Sequence, residues 1–347
     1  MNNQSLSPKI AQTFGDWAYI ALEQHYQTML SHEAGVLQDE DPEELHQMRV
    51  GMRRLRTAIA GFAPALALPK TAQEKKVAKI ARTLGKLRDL DVLQESLVND
   101  YNPVLPPSEQ KLLQKALKTL KKERKINVAE VKATLQGKTY RKLQAGFEDW
   151  FKSPQYQVLA AIQIDEVLPD LLLPQVSKLL LHPGWSIGVQ IQEGKAIFRE
   201  NLKPHEVNRL LSENDEPLHD LRKEAKRSRY QMELFEQFYG EHYQRYLKQI
   251  KKIQSVLGKI QDSVVLTEFL HRTLAQNLED KMPILAEQWG RSRWQNWQDW
   301  QELQQKFLDP TLRQNLRQIM QYPHPKNPTP ASHPDDSAAK SEPQPDQ

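Results

Sequence analysis

The sequence predicts an all-α protein made of two similar helical halves. Its 347 residues include only 13 Gly and are rich in Leu, Gln, Lys and Glu, which favour helices. Apolar residues recur every three to four positions over long stretches without Pro, as in amphipathic helices. Two motifs also occur twice, each time 173 residues apart, which indicates an internal duplication.

Helix boundaries are predicted from capping residues and prolines. Asp41 before Pro42 is a normal helix start, because Asp caps free N–H groups and Pro fits the first turn. Thr71 and Ser108 are predicted to cap two further helices. Four prolines between Trp150 and Lys203, followed by Pro204, predict short packed helices over this stretch. The helices predicted in the first half are Pro8–Leu37, Asp41–Ala65, Thr71–Val98 and one that begins at the Ser108 cap and contains the Lys-rich stretch 111–142; those of the second half begin near His205, Pro217 and Glu241 and beyond Glu279.

These elements predict halves at residues 10–148 and 205–320, joined by residues 149–204. The tail, residues 321–347, is rich in Pro and poor in large apolar residues, which predicts disorder. The chain has no Cys, no signal-peptide pattern at its first residues and no apolar run of about 18 residues. We therefore expect a cytoplasmic protein without a membrane span.

The first motif, HQMRVGMRRLR, places a row of cations on one face of a helix. At about 100° per residue, the members of this row fall within an arc of roughly 80°, beside a separate apolar stripe. No Asp or Glu occurs from Leu45 through Gln73, so local acids do not explain the row. The first cationic row consists of His46, Arg49, Arg53 and Arg56.

The second motif, HDLRKEAKRSR, repeats this arrangement, since His46 and His219 are 219 − 46 = 173 positions apart. Lys226 stands where the first row has Arg53, and Asp220 and Glu224 offer the second row local partners. The second cationic row consists of His219, Arg222, Lys226 and Arg229.

A further pair of segments, LGKLRDLDVL and LGKIQDSVVL, has the same offset of 173 residues. Basic residues follow one face of the helix that carries each segment, and three of four positions are basic in both. Those of the first half are Lys75, Lys79, Arg82 and Lys86, and those of the second are Lys248, Lys252, Ser255 and Lys259. Arg54, Lys223 and Arg227 complete the predicted binding set.

Rows of Arg and Lys suit a linear polyanion better than a single phosphate. Arginine can donate to two phosphate oxygens at once, and lysine supplies a mobile point charge. His46 and His219 are interpreted as phosphate contacts or hydrogen-bonded helix anchors, with a phosphoacceptor role left open. No metal site is predicted there, because no His or carboxylate follows either residue at the third or fourth position.

Other chemistry-bearing residues have structural interpretations. Asp89 and Asp262 are equivalent in the duplication, and we favour a salt bridge or cap over general-base catalysis. The Lys-rich stretch 111–142 is interpreted as a solvated helix face that could extend the basic surface. No P-loop, His-Glu-x-x-His motif or glycine-rich cradle occurs, so neither a cofactor nor enzyme activity is predicted.

The paired motifs resemble the conserved histidine α-helical domain, the CHAD family, over residues 10–320. The resemblance implies two pseudo-symmetric bundles whose basic faces line a central cleft or pore that binds inorganic polyphosphate. Lys226 for Arg53 and Ser255 for Arg82 are departures that make the second lining less rich in arginine.

Two classes of function follow. The first is a non-catalytic scaffold or targeting module that binds polyphosphate and other polyanions; the alternative is a helical nucleic-acid-binding protein. An enzyme that acts on polyphosphate is a third option, ranked below both. The cationic faces have Tyr230 as their one aromatic residue, which disfavours single-strand binding. Chain-length preference and oligomeric state are open at this point.

Overall fold

A computed structural model describes residues 11–199, 201–274 and 278–323, apart from the side chain of Glu279. The described chain is mainly helical, as predicted. Its first six α-helices are α1 (Phe14–Ser31), α2 (Glu33–Gln38), α3 (Pro42–Gly61), α4 (Glu74–Ser96), α5 (Pro107–Leu135) and α6 (Lys138–Lys152). The next is α7 (Ile164–Leu180), and after a hairpin come α8 (Pro204–Glu213), α9 (Asp215–Leu234), α10 (Glu241–Leu274), α11 (Leu278–Lys281), α12 (Pro283–Leu308) and α13 (Pro310–Gln321).

The all-α prediction does not include the β-hairpin that follows α7. Strands β1 (Val189–Gln192) and β2 (Lys195–Phe198) pair antiparallel, with Gln192 opposite Lys195. Both turn residues have positive φ, 49° at Glu193 and 76° at Gly194, as a type I′ hairpin turn requires. Asn-Gly or Asp-Gly would have signalled such a turn; Glu-Gly is a weaker signal.

Several predicted helix boundaries are wrong. The helix expected over Pro8–Leu37 breaks at His32, whose Nδ1 lies 2.8 Å from Oε2 of Glu44 in α3. The helix after Thr71 has Gln73 at its N-cap position, without a capping hydrogen bond from the side chain, and α5 begins at Pro107 instead of following a Ser108 cap. The stretch Lys111–Lys142 divides between α5 and α6, which are separated at Gly137.

The Pro-rich connection also differs from the prediction of short helices. Pro169 and Pro174 lie inside α7, a single helix of 17 residues. Its buried side chains include Leu168, Leu172 and Val176, all with no exposed surface. Burial of this apolar face outweighs the local cost of the prolines.

The main hydrophobic core runs from α1 through α3 and α9 to α12 and α13. Rings of Phe62 and Phe235, which follow α3 and α9, meet edge to face at 5.3 Å between centroids. A smaller core forms around Leu117 and Trp289. It lies where the C-terminal parts of α4 and α10 meet the N-terminal parts of α5 and α12. The two helices that carry the cationic rows are therefore fixed against each other by apolar packing.

Helices α3 and α9 have the same length, 20 residues, and their first residues, Pro42 and Asp215, are 215 − 42 = 173 positions apart. This agrees with the offset of the sequence motifs, while the division into halves at 10–148 and 205–320 stays a prediction. The part of the tail beyond residue 323 lies outside the described residues. Among the helices that the structure describes, none has the length and apolar character needed to cross a membrane.

Candidate functional site

Helices α3 and α9 contact each other and bring the two cationic rows to one place. Asp41 caps α3 as predicted, its side chain accepting from the N–H of Glu43 at 2.8 Å. The apolar stripe of α3 is buried, with Met48 and Met52 fully enclosed. Burial of that stripe fixes the rotation of α3 and so presents its cationic row on another face.

A pocket of about 710 Å³ opens between α3, α4 and α9, and we call it the cationic pocket. Gln175 of α7 and Tyr230 of α9 also lie in its wall. Glu74 and Asp89 are the acidic members of its lining, against eight basic ones. The basic lining residues are Arg49, Arg53, Arg56, Arg82, Lys86, Lys223, Lys226 and Arg227.

Four half-buried cations lie together where α3 contacts α9, and we call them the cation cluster: Arg49, Arg53 and Lys226, which line the cationic pocket, and Arg222, which is not part of its lining but acts on Lys226 through its charge. Among the described residues, no carboxylate oxygen lies within 4.0 Å of their side-chain nitrogens. Burial lowers the pKa of both Arg49 and Arg53, and neighbouring arginines lower it further. The cluster therefore concentrates positive charge that no protein carboxylate neutralises directly.

Two glycines, Gly85 and Gly258, leave space for guanidinium groups of this cluster, and we call these two positions the glycine seats. A Cβ on Gly85 of α4 would come within 2.6 Å of Nη1 of Arg49. At the equivalent position in α10, a Cβ on Gly258 would lie 3.4 Å from Nε of Arg222. The glycine of each LGK segment thus allows an arginine of the neighbouring row to cross the helix closely, and Arg49 also donates to the carbonyl of Ala81 at 3.4 Å.

Tyr230 links the two rows through its ring. The Cζ atom of Arg53 lies 4.5 Å from the ring centroid, and that of Arg229 lies 4.8 Å from it. Such cation–π contacts hold guanidinium groups in place without neutralising them. Nε of Arg53 is buried without a hydrogen-bond partner among the described atoms, as is Nε of Arg222.

The outer cations of both rows are paired with carboxylates. Nη2 of Arg56 lies 2.6 Å from Glu74, which belongs to α4, and Nε of Arg229 lies 2.7 Å from Glu233. The first row is free of local acids in sequence, yet its last arginine finds a partner on a neighbouring helix. The other paired residues of the predicted set are Lys86 with Glu130 at 3.5 Å, Lys223 with Asp220 at 3.0 Å and Arg227 with Glu224 at 2.8 Å.

His46 and His219 lie beside the cationic pocket and are absent from its lining. Burial lowers the pKa of both, and Arg88, Arg53 and Arg49 lower that of His46 further. For His219 the further lowering comes from Lys223 and Arg222. Both shifts favour the neutral imidazole, which can donate a hydrogen bond but carries no charge.

Arg54 does not join this site, although the sequence placed it in the binding set. It lines a separate pocket of about 350 Å³ with His25 and Trp17 of α1. The reason is helical geometry, because adjacent residues on a helix point about 100° apart. Burial and the charge of Arg54 lower the pKa of His25 to about 4.

Like Arg222 and Arg229, the remaining predicted cations lie outside the lining of the cationic pocket. Lys75 and Lys79 are exposed on α4. Three lysines of α10 are exposed as well, and that helix contributes no residue to the pocket. They are Lys248, Lys252 and Lys259.

Arg88 is a cation that the sequence argument missed. Its positive charge lowers the pKa of both His46 and Arg49, although burial is the larger cause of each shift. Arg88 therefore lies close to the first row. It lies about 200° round α4 from Lys86, which is why helical periodicity excluded it. The signal for it was its position inside the first LGK segment.

Asp89 and Asp262 lie in the interiors of α4 and α10, so neither caps a helix. In the described residues neither forms an ion pair within 4.0 Å. Instead, Asp89 opposes the lowering of the Arg49 pKa through its charge. Burial raises the pKa of Asp262, against the opposing charge of Arg222.

Fold and site together define an all-α protein with a pocket rich in unpaired arginine. The CHAD domain profile matches residues 20–271, more than half of the sequence. The chain therefore belongs to the CHAD family, as the sequence motifs indicated.

Two solved structures have a similar fold. The crystal structure of the CHAD domain from the plant Ricinus communis has 22% sequence identity and a TM-score of 0.57, covering 94% of this chain and 99% of that one. PptA from Streptomyces chartreusis has 15% identity and a TM-score of 0.61, covering 85% of this chain and 100% of that one. A search of curated proteins finds no match.

Proposed function

We propose that this protein binds inorganic polyphosphate between the two cationic rows and acts as a non-catalytic scaffold or targeting module in the cytoplasm. The observation that carries the proposal is the cation cluster, in which Arg49 and Arg53 of α3 meet Arg222 and Lys226 of α9. None has a carboxylate within 4.0 Å among the described residues. Keeping such charges half-buried and unpaired costs stability, which a bound polyanion would offset.

The chemistry of the cluster fits a chain of phosphates. Each internal phosphate of polyphosphate carries a negative charge, and the chain presents oxygens on all sides with no base to be read. Arginine guanidinium groups can donate to two of these oxygens at once. Arg82 and Lys86 continue the lining along α4, so a linear ligand would meet further cations beyond the cluster.

Nucleic acid is the alternative ligand, and Tyr230 argues against it. Single strands are held by stacking bases on aromatic rings in a basic groove. Tyr230 is the aromatic residue in the lining of the cationic pocket, and its ring is already covered by Arg53 and Arg229. A base would have to displace one of these guanidinium groups.

The equal lengths of α3 and α9, their 173-residue offset and the two glycine seats support an internal duplication with the rows facing one another. Under that arrangement each copy supplies two members of the cation cluster. The ligand would then contact both halves of the molecule at once, and loss of either half of the cluster would weaken binding.

A titration with long-chain polyphosphate beside single-stranded DNA and RNA of matched charge tests the ligand. We expect polyphosphate to bind at least ten times more tightly than either nucleic acid at equal ionic strength. Equal or tighter binding of DNA or RNA would favour the nucleic-acid alternative. Release of orthophosphate in proportion to pure protein, with magnesium or manganese present, would contradict the non-catalytic role.

A further inference from the structure

The second cationic row departs from the first at one position inside the cation cluster. Lys226 stands 226 − 53 = 173 residues after Arg53, so the two positions correspond while the residue types differ. Arginine stays protonated at every physiological pH, whereas a buried lysine loses its proton readily. Lys226 is thus the member of the cluster whose charge can change.

Its surroundings are dominated by positive charge. Arg49 and Arg53 approach from α3, Arg222 lies one turn earlier on α9, and Asp89 of α4 is the opposing charge. Gln175 of α7 also lines the pocket beside it and carries no charge. The further charged groups of the lining are Arg56 with its partner Glu74, Arg82, Lys86, Lys223 and Arg227.

This environment disfavours a charged ammonium group. Burial first, then the charges of Arg53, Arg222 and Arg49, lower the pKa of Lys226 to about 8, against an ordinary value of 10.5. The three arginines cannot relieve the repulsion by losing protons. Lys226 is therefore the member of the cluster that loses its proton in the weakly alkaline range.

A polyanion in the pocket would instead favour the charged form of Lys226. Phosphate oxygens would offset the guanidinium charges and accept hydrogen bonds from the ammonium, both of which favour the protonated lysine. We propose that Lys226 takes up a proton from solvent when a polyanion binds, so that the affinity of the site falls as the pH rises above neutral. This inference rests on the proposed function.

The direction of this pH dependence follows from the linkage between proton binding and polyanion binding. Below about pH 8 Lys226 is already charged in the free protein, so binding takes up no proton there. Between that value and the higher pKa of the bound state, binding needs one proton, and the affinity falls by up to tenfold per pH unit. Over pH 7 to 9 we expect a loss of about tenfold.

The contribution of Lys226 can be separated from that of the other titratable groups of the site. Burial lowers the pKa of both His46 and His219, so a bound polyanion would have to raise it above 7 before either histidine contributed over this range. Lys226→Arg keeps both histidines, so its comparison with the wild type isolates the lysine. The arginines stay charged across this range. Titration of the polyphosphate ends would affect every protein variant alike.

The test compares polyphosphate affinity from pH 7 to 9.5, at constant ionic strength, for the wild type and Lys226→Arg. Lys118→Arg, an exposed lysine of α5, is the matched control. We expect the wild type and the control to lose about tenfold by pH 9, and Lys226→Arg to lose less than twofold. Calorimetry at pH 8.5 in two buffers of different ionisation enthalpy should show uptake of most of one proton by the wild type and none by Lys226→Arg.

Parallel losses in the wild type and Lys226→Arg, or no proton uptake by the wild type, would overturn the inference. If neither protein binds polyphosphate at pH 7, the proposed function has failed instead. In that case the titration of Lys226 is measured in the free wild-type protein. An amine-reactive reagent labels the lysine at a series of pH values, and mass spectrometry reads the extent of labelling. A midpoint near pH 8 supports a discharging Lys226, and a midpoint above pH 10 contradicts it.

Discussion

The first and second cationic rows have the same spacing, and each ends in an ion-paired arginine, but the acidic partners come from different places in the two rows. In the described residues, Arg222 and Lys226 of the second row are as free of carboxylates as the corresponding arginines of the first. In the first row, Arg49 and Arg53 have no carboxylate within 4.0 Å, and Arg56 reaches Glu74 on another helix. On α9, local acids pair with the cations next to the row, as in Lys223 with Asp220. The last residue of the second row, Arg229, pairs with Glu233 one turn later.

The comparison shows that spacing alone does not identify a binding cation. A cation already paired with a carboxylate must give up that contact before it can bind a phosphate, so its net contribution is small. An unpaired, half-buried cation has no such contact to lose. We therefore expect the cation cluster to supply most of the affinity and the paired residues little.

The largest effect is expected from removing Arg49 and Arg53, the two arginines of the first row that have no carboxylate partner among the described residues. Charge-assisted hydrogen bonds contribute about 1.5–3 kcal/mol each before solvent exposure and salt reduce them. The double change Arg49→Ala with Arg53→Ala should weaken polyphosphate binding about 100-fold, measured by titration at low salt. The apolar stripe of α3 is untouched, so circular dichroism should show an unchanged helix content.

A matched pair of variants on α9 separates free from paired cations. Arg222→Ala with Lys226→Ala removes two free cations, and we expect a loss of about tenfold or more. Lys223→Ala with Arg227→Ala removes the same charge from the same helix, but both residues pair with acids. We expect a loss below threefold for that variant, and equal losses would mean that pairing does not matter.

A smaller effect is expected at the ends of the rows. Arg56 and Arg229 occupy equivalent positions and both are ion-paired. Changing both to Ala should reduce the affinity about threefold, because Glu74 and Glu233 are left near the ligand while little binding is lost. A loss as large as that of the Arg49 and Arg53 variant would show that these pairs open on binding.

The glycine seats offer a comparison without a change of charge. Gly85→Ala would force Nη1 of Arg49 away, since the new Cβ would lie 2.6 Å from it, and affinity should fall roughly threefold. Gly258→Ala meets Arg222 at 3.4 Å, which needs only a slight adjustment, so affinity should be unchanged. Equal effects of the two substitutions would contradict the seat at Gly85.

The smallest effect concerns stability without ligand. The folded-state pKa of Lys226 is depressed by burial and by Arg53, Arg222 and Arg49, so its charged form destabilises the fold below about pH 8. Lys226→Met should therefore raise the melting temperature by roughly 2–4 °C at pH 7. Because the wild type gains stability as the pH rises from 8 towards 10.5, this advantage should shrink by pH 9.5, as differential scanning fluorimetry can measure.

Local sequence signals predicted much of the fold. Asp41 and Pro42 marked the start of α3 correctly, because the cap and the fixed φ of Pro act within one turn. The break at His32 could not be predicted, since it accompanies a contact with Glu44 twelve residues later. The single helix α7 was missed because tertiary burial overrides the local signal of Pro169 and Pro174.

The candidate site was predicted in part for the same reason. Helical periodicity placed Arg49 and Arg53 on one face, where the structure has them. It also admitted Arg54, which points into another pocket, and it omitted Arg88 on a neighbouring helix. The pairing of Arg56 with Glu74 depends on the packing of α3 against α4, which no local pattern contains.

The salt dependence of polyphosphate binding tests the central claim most directly. Each phosphate that the protein neutralises releases counterions, so the slope of log affinity against log salt reports the number of contacts. We predict a shallower slope for the variant Arg49→Ala with Arg53→Ala than for the wild type. The control Lys118→Ala, Lys121→Ala and Lys122→Ala removes three exposed lysines of α5 and should keep the wild-type slope and affinity. If that control loses as much slope and affinity as the cluster variant, binding is diffuse electrostatics and the cation cluster is not the site.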